Sequence, residues 1–163
     1  MQYLALLPSG LLSLMLISFV TVCIAGQVKA ENGQIEVKDD LGRVVVLEQP
    51  AQRIVALSPH IVENLFSAGL GSAIVAAVSY ADYPDAAKSI PRLGGFANFS
   101  IESVVSFQPD LVIGWASGYV GFAELVKQLE QLGVPVYVDE PKTLSDVSRS
   151  IANMAKLGGT ETE

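Results

Sequence analysis

The stretch RIVALSPHIVENLFSAGLGSAIVAAV, residues 53–78, decides the fold. It contains two short apolar runs, residues 53–57 and 73–78, which are typical of strands buried on both faces of a parallel sheet. Between them, Ser58-Pro59 is a helix N-cap followed by proline at the first helical position, and the glycines at 69 and 71 can end that helix. The stretch therefore predicts one strand, helix and strand unit.

The same alternation continues downstream. Residues 111–115 and 134–138 are two more short apolar runs, and amphipathic segments occupy residues 100–107 and 122–132. Strands that alternate with helices in this way form a parallel sheet with helices on both faces. We therefore predict an α/β fold, a three-layer lobe with a mainly parallel, Rossmann-like sheet.

The residues before this lobe follow a different pattern. Apolar and polar residues alternate on both sides of a turn at residues 39–42, and Pro50 closes the segment. This pattern predicts a β-hairpin. We place the hairpin within residues 31–52 and the lobe within residues 53–142.

The N-terminal segment is predicted to meet a membrane. Residues 11–26 are almost wholly apolar, and polar sequence begins at Glu31. Residues 1–30 are interpreted as a signal peptide cleaved after Ala30, which would export the protein to a periplasmic or other extracytoplasmic location. An uncleaved anchor is the alternative, because no basic residue precedes the apolar run.

The cysteine and charge content limit the classes of function that the protein can have. The single cysteine, Cys23, lies in the apolar segment, and residues 31–163 therefore contain none that could form a disulfide. A lipid anchor at Cys23 is less favoured than cleavage, because the bulky Val22 precedes it.

The chain carries 10 basic and 17 acidic side chains, a net charge of −7. We expect no nucleic-acid partner, since phosphate binding needs clustered Lys and Arg.

The sequence offers little for catalysis. The only histidine, His60, falls in the first turn of a predicted helix, where a surface position is expected. The turn Ser58-Pro59-His60 is not a glycine-rich phosphate loop, and no second histidine accompanies it for a zinc or haem site. We predict a protein that is not an enzyme and has no resident cofactor. An exported α/β enzyme or redox protein is the alternative from another class.

Aromatic residues follow the predicted strands at their carboxyl ends. Tyr80 comes after the second strand and Trp115 ends the third, whereas Phe96 lies in a loop after two glycines. Open α/β sheets bind ligands at this edge, and flat apolar surfaces suit a large, rigid ring ligand. For Trp115 we favour exposure to a cleft. For Phe96, packing under its own loop is an equal alternative.

Several segments resemble the periplasmic binding proteins for Fe³⁺-siderophores, haem and cobalamin. They are VKDDLGRVVVLEQPAQRIVALSPHIVENLFSAGLG (residues 37–71), VSYADYP (78–84), SIESVVSFQPDLVIGW (100–115) and LGVPVYVDEPKTLSDV (132–147). Their order and spacing follow the family over nearly all of residues 37–163. Within the class, VSYADYP and PDLVIGW are most similar to the cobalamin-binding members.

The resemblance implies a function and a set of site residues. Members of the class deliver a captured ligand to the permease subunits of an ABC importer. The resemblance places a corrinoid-contacting tyrosine on Tyr80 and a strand-end tryptophan on Trp115, whereas Phe96 stands where the family has a tryptophan. It also places the carboxylate that docks on permease arginines at Glu102, which can serve the helix dipole as well. Haem or a ferric siderophore is the alternative ligand.

The resemblance also implies a second lobe. Members of the class continue through a long linking helix into another α/β lobe, and the ligand lies between the two lobes. Here residues 143–163 are expected to begin the linker, with a capping box at Thr143 and Asp146 and an apolar face that includes Leu144 and Met154. This chain is therefore expected to supply one wall of a cleft and to lack the second lobe.

Overall fold

The computed structural model describes residues 33–95, 99–118 and 120–161, in which strands and helices alternate. In chain order the elements are β1 (Ile35–Lys38), β2 (Val44–Leu47), β3 (Ile54–Ala56), α1 (Pro59–Ser67), β4 (Ile74–Ala77), α2 (Ile101–Ser106), β5 (Leu111–Gly114), α3 (Phe122–Gln131), β6 (Val136–Val138) and α4 (Leu144–Gly158). Short 3₁₀ turns lie at Gly71–Ala73, Asp85–Ser89 and Ala116–Gly118. Each predicted strand and helix is present, with bounds that differ by one or two residues.

Strands β3 to β6 form one parallel sheet in the order β4-β3-β5-β6. In the centre, Ile54 of β3 pairs with Leu111 of β5, and Val112 of β5 pairs with Val136 of β6. Parallel neighbours need long crossover connections, which the intervening helices provide. The prediction of an α/β lobe with a parallel sheet is confirmed.

Apolar cores cover both faces of this sheet. Ile54 and Ala56 of β3 pack in the core that contains α1 and α4, whereas Val55 packs in the core that contains α2 and α3. Tyr137 and Val138 of β6 divide between the two cores in the same way. Because both faces are buried, the strands lack polar alternation, which is why continuous apolar runs predicted them.

Strands β1 and β2 form the predicted antiparallel hairpin. Val37 and Leu47 face the α1 and α4 core, whereas Val44 is exposed. In the turn, Asp39 Oδ1 accepts the Arg43 amide at 2.8 Å and Asp39 Oδ2 accepts Arg43 Nε at 2.9 Å. The hairpin and its turn are confirmed.

Helix α4 begins with the predicted capping box. Thr143 Oγ1 accepts the Asp146 amide at 3.2 Å, and Asp146 Oδ2 accepts the Thr143 amide at 2.9 Å. The predicted apolar face is wrong at its first position, because Leu144 is 89% exposed. The fully buried positions are Met154 and Leu157, since the later turns of α4 pack on the core.

Some predictions fall outside the described residues or are not tested by them. The signal peptide at residues 1–30, lipid attachment at Cys23 and the position of Phe96 lie outside. The linker role of residues 143–163 and the missing second lobe stay predictions. Within the described part of the chain, no helix combines the length and apolar character needed to cross a bilayer.

The buried Tyr137 should make the fold sensitive to alkali. Burial raises the pKa of Tyr137 to about 12, and Asn153 Nδ2 donates to its hydroxyl at 2.9 Å. A raised folded-state pKa means that stability is complete below the unfolded value of about 10 and declines as pH rises towards 12. We expect Tyr137→Phe to flatten this decline, measured by denaturant unfolding across that range. Tyr83→Phe is the exposed control, and an unchanged alkaline decline in Tyr137→Phe would contradict this account.

Candidate ligand-binding site

The carboxyl ends of the four parallel strands meet at one edge of the sheet, where the candidate site lies. Tyr80 follows β4, His60 follows β3, Trp115 follows β5, and Asp139 with Glu140 follows β6. Because the strand order is β4-β3-β5-β6, the turn with His60 lies between the segments that carry Tyr80 and Trp115. The fold therefore brings these two predicted residues to the same edge.

Tyr80 projects into solvent from the end of β4. Its side chain and backbone are 81% exposed, and its φ of 68° lies in the left-handed region. A non-glycine residue in this region must be held by its surroundings. The preceding Ser79 is tied to Gly94, since its amide and its hydroxyl both donate to the Gly94 carbonyl at 2.8 Å. Tyr80 is thus held on an anchored loop with its ring accessible.

Trp115 is half-buried at the end of β5. It packs on the α1 and α4 core, and its ring meets the His60 ring edge-on, with centroids 5.6 Å apart and planes at 89°. A pocket of about 360 Å³ has as its lining residues His60, Glu63, Asn64, Trp115, Pro141 and Val147. Trp115 therefore belongs both to the core and to an open pocket, and its ligand role stays a prediction.

His60 belongs to a buried polar cluster that the sequence did not reveal. Its Nδ1 lies 2.7 Å from Ser58 Oγ, and its Nε2 lies 3.5 Å from Asp139 Oδ2. Asp139 is fully buried, and its Oδ1 accepts the Ser150 hydroxyl. If the Ser58 hydroxyl donates to Nδ1, the proton on Nε2 faces the remaining carboxylate oxygen. The useful signal in the sequence was a carboxylate directly after a buried strand.

This orientation limits what His60 can do. Both ring nitrogens face protein groups, Ser58 on one side and Asp139 on the other. Neither nitrogen is therefore directed to ligate a metal from the pocket. Within the described residues, His, Cys, Asp and Glu side chains do not gather in any group of three or more that could hold a metal ion.

Glu140 joins the end of β6 to the loop after β5. Its Oε2 accepts the Ser117 amide at 3.1 Å. Burial raises the pKa of Glu140, but hydrogen bonding from Ser117 and other donors in the same loop outweighs it and holds the pKa below its ordinary value. Glu140 therefore ties the end of β6 to the loop that follows Trp115.

A chain of ionic contacts holds Glu140 in turn. Its backbone amide donates to Asp40 Oδ2 at 2.7 Å, and Asp40 Oδ1 lies 2.8 Å from Arg149 Nη2. Arg149 Nη1 contacts Asp146 at 2.5 Å, and this guanidinium is the main reason that the pKa of Asp146 falls to about 2. The hairpin turn and the first turns of α4 are thus connected to the loop with Trp115.

Glu102 lies on the other side of the sheet, in the first turn of α2. It is exposed, and the Ser100 hydroxyl and its own backbone amide hold its pKa below the ordinary value. Ser100 also caps the helix, because its Oγ accepts the Ser103 amide at 3.2 Å. Since α2 leads back to the amino end of β5, its first turn lies towards the carboxyl edge of the sheet. The predicted helix start is confirmed, and docking through Glu102 stays a prediction.

Comparison with known proteins defines the class. The periplasmic binding protein model matches residues 54–163, more than half of the chain. The chain belongs to this family. It is 36% identical over 107 residues to the vitamin B12-binding protein of Vibrio campbellii, covering 66% of this chain and 38% of that relative. The chain thus spans about two fifths of the length of the curated relatives it matches.

Solved structures give the same assignment. The vitamin B12-binding protein of Vibrio cholerae shares 34% identity and a TM-score of 0.61, covering 67% of this chain and 42% of its own. A haem-binding protein from Roseiflexus sp. RS-1 shares 30% identity and a TM-score of 0.55, covering 67% of this chain and 44% of its own. These relatives are binding proteins, which agrees with the expectation of a protein that is not an enzyme.

The buried contact between His60 and Asp139 can be tested by mutation. His60→Phe keeps a ring but removes the donor that faces Asp139 Oδ2. Loss of the Ser58 hydrogen bond to Nδ1 and of the imidazole beside the Asp139 carboxylate should lower the free energy of unfolding by about 1–3 kcal/mol, measured by urea denaturation. In an Asp139→Asn background the same substitution should cost less, because the two residues are coupled. Equal losses in both backgrounds would show that this contact is not responsible.

Proposed function

We propose that this protein captures cobalamin or a related corrinoid outside the cytoplasm for an ABC importer. The observation that carries the proposal is the pair of aromatic side chains at the carboxyl edge of the sheet, Tyr80 exposed and Trp115 lining a pocket. A corrin is a large, rigid macrocycle, and aromatic faces bind such a ring through dispersion and shape. The relatives named as vitamin B12-binding proteins support a corrinoid ligand.

Haem or a ferric siderophore is the alternative ligand within the class. Haem-binding proteins from Roseiflexus sp. RS-1 and Pseudomonas aeruginosa have similar folds, with TM-scores of 0.55 and 0.60. Protein-bound haem is commonly held by an axial side chain such as histidine or tyrosine. Both His60 nitrogens face protein groups, so an axial ligand from this edge would have to come from the exposed Tyr80. Catalytic turnover or a bound nucleotide would favour an exported enzyme or redox protein.

We also propose how the protein reaches its site of action. Residues 1–30 serve as a signal peptide, and the protein works in the periplasm without a resident cofactor. A lipid anchor at Cys23 is a less favoured route to the same location. The periplasmic binding protein family of this chain supports an extracytoplasmic location.

Ligand binding can be measured directly by equilibrium dialysis with absorbance detection of cobinamide, cobalamin and haem. For this chain alone we expect corrinoid binding weaker than about micromolar, because one wall buries too little of the ligand. In the chain joined to the second lobe of a vitamin B12-binding relative, binding should tighten. Trp115→Ala should then weaken corrinoid affinity by about 1–3 kcal/mol while folding is nearly intact.

Three results would contradict these expectations. Sub-micromolar corrinoid binding to the chain alone would show that a single wall suffices. Binding of haem without corrinoid in the joined protein would replace the proposed ligand. Loss of thermal stability with unchanged affinity in Trp115→Ala would assign Trp115 a purely structural role.

The proposed docking contact rests on Glu102. Its carboxylate is exposed on a short helix and stays ionised over a wide pH range, because its pKa is lowered by Ser100 and by its own amide. An exposed carboxylate of this kind can pair with arginines of a permease, where charge sets encounter rate and register. The neighbouring Val104 is buried in the core, so α2 packs on the lobe and holds the backbone of Glu102 in a defined position.

Charge reversal separates docking from ligand binding. In the joined, two-lobed protein, Glu102→Arg should leave corrinoid affinity unchanged and reduce stimulation of the cognate ATPase and uptake into vesicles, because like charges would repel. Glu124→Arg is the matched control, since Glu124 is exposed on α3 and contacts Lys127 on the same helix. Equal transport losses from both variants would mean that overall acidity matters, and unchanged transport in Glu102→Arg would exclude the docking role.

A further inference from the structure

Arg92 connects the loop that carries Tyr80, residues 79–90, to the edge of the sheet. Its Nη2 donates to the Ala81 carbonyl at 3.0 Å and to the Ala87 carbonyl at 3.1 Å, and lies 3.3 Å from Asp82 Oδ1. We infer that Arg92 is a positioning residue, which orders the backbone around Tyr80 and so fixes where its ring stands at the carboxyl edge. The inference rests on the proposed function only in treating Tyr80 as a residue that a ligand contacts.

The backbone of Arg92 is itself joined to the sheet. Arg92 pairs with Ala77 of β4 in an isolated parallel bridge. The Ala77 amide donates to the Pro91 carbonyl, and the Leu93 amide donates to the Ala77 carbonyl, each at 3.0 Å. Because β4 is an outer strand of the four-stranded sheet, these bonds run along its otherwise open edge. The Arg92 guanidinium therefore extends into the loop from a fixed backbone.

Tyr80 lies between two residues that are bonded to this segment. Before it, the Ser79 amide and hydroxyl both donate to the Gly94 carbonyl at 2.8 Å. After it, Ala81 is buried in the core and its carbonyl accepts from Arg92. A non-glycine residue with a φ of 68° keeps this conformation only where its surroundings hold it. Gly94 and Arg92 together provide such a hold on the two sides of Tyr80.

A guanidinium suits this role because its donors have a fixed planar arrangement. The Ala81 and Ala87 carbonyls lie at the two ends of the outer part of the loop, and their shared donor closes it. The ion pair with Asp82 is exposed on the carboxylate side and contributes little by itself in water. We therefore expect Arg92 to affect the order of the loop more than the stability of the lobe. A ligand that contacts an ordered Tyr80 loses less conformational entropy on binding.

Backbone order at Tyr80 can be measured by ¹⁵N relaxation in the full chain without ligand. In the parent we expect an order parameter of about 0.85 for the Tyr80 amide, and in Arg92→Ala a value below about 0.6. Endoproteinase Lys-C, which cuts after lysine, gives a second signal at Lys88, directly after Ala87. Cleavage there should be about fivefold faster in Arg92→Ala, because the loop opens more often. Cleavage after the exposed Lys142, before α4, should keep its parent rate.

Two further variants separate the effect on the loop from a general loss of stability. Arg92→Met removes the donors but keeps an unbranched apolar stem, and it should loosen the loop as Arg92→Ala does. Arg53→Ala removes another arginine that donates to two backbone carbonyls, those of Phe107 and Gln108, at 2.6 and 2.9 Å. Arg53 lies just before the amino end of β3, so its loss should leave the order at Tyr80 unchanged. Melting temperatures identify the conditions in which each variant is folded.

A parent-like order parameter at Tyr80 in the folded Arg92 variants would overturn the inference, whatever happens at Lys88. Equal loosening in Arg53→Ala, or an equal rise in cleavage after Lys142, would attribute the effect to global stability and would overturn it as well. Neither signal requires a ligand. Failure of corrinoid binding would therefore count against the proposed function and leave the result for Arg92 valid.

Discussion

A parallel sheet covered on both faces leaves no place for polar groups along its strands, and the rest of this structure depends on that constraint. The strands of the lobe bury Ile54 and Val55, or Tyr137 and Val138, on opposite sides. Polar side chains are therefore placed where the strands end. At the carboxyl edge these polar residues are Ser58, His60, Asp139 and Glu140, and the aromatic wall lies among them.

The acidic residues at this edge make contacts within the protein that hold its elements together. Asp139 is buried, its Oδ1 accepts the Ser150 hydroxyl of α4, and its Oδ2 lies 3.5 Å from His60 Nε2 at the start of α1. Asp40, in the hairpin turn, donates through its amide to the Val138 carbonyl at 3.1 Å and accepts the Glu140 amide. These contacts tie the hairpin, two helices and the end of the sheet together. A net negative charge of −7 therefore includes carboxylates with internal partners.

The sequence predicted the local features well because local chemistry produces them. Apolar runs at residues 53–57 and 111–115 are strands because both sheet faces are covered, and Thr143 with Asp146 forms the capping box that its spacing indicated. Helical periodicity placed Leu144 on the apolar face, but periodicity carries no information on where the core ends. The pairing of His60 with Asp139 was missed because it joins segments far apart in the chain. The left-handed backbone of Tyr80 had no local signal either.

The two layers of helices carry different proposed functional residues. His60 begins α1 on one face of the sheet, beside the pocket that Trp115 lines, whereas Glu102 begins α2 on the opposite face. Trp115, proposed to contact the ligand, and Glu102, proposed to contact the permease, therefore belong to elements that pack on different cores. In such a lobe the proposed ligand wall can vary in sequence while the proposed transporter contact at Glu102 is kept.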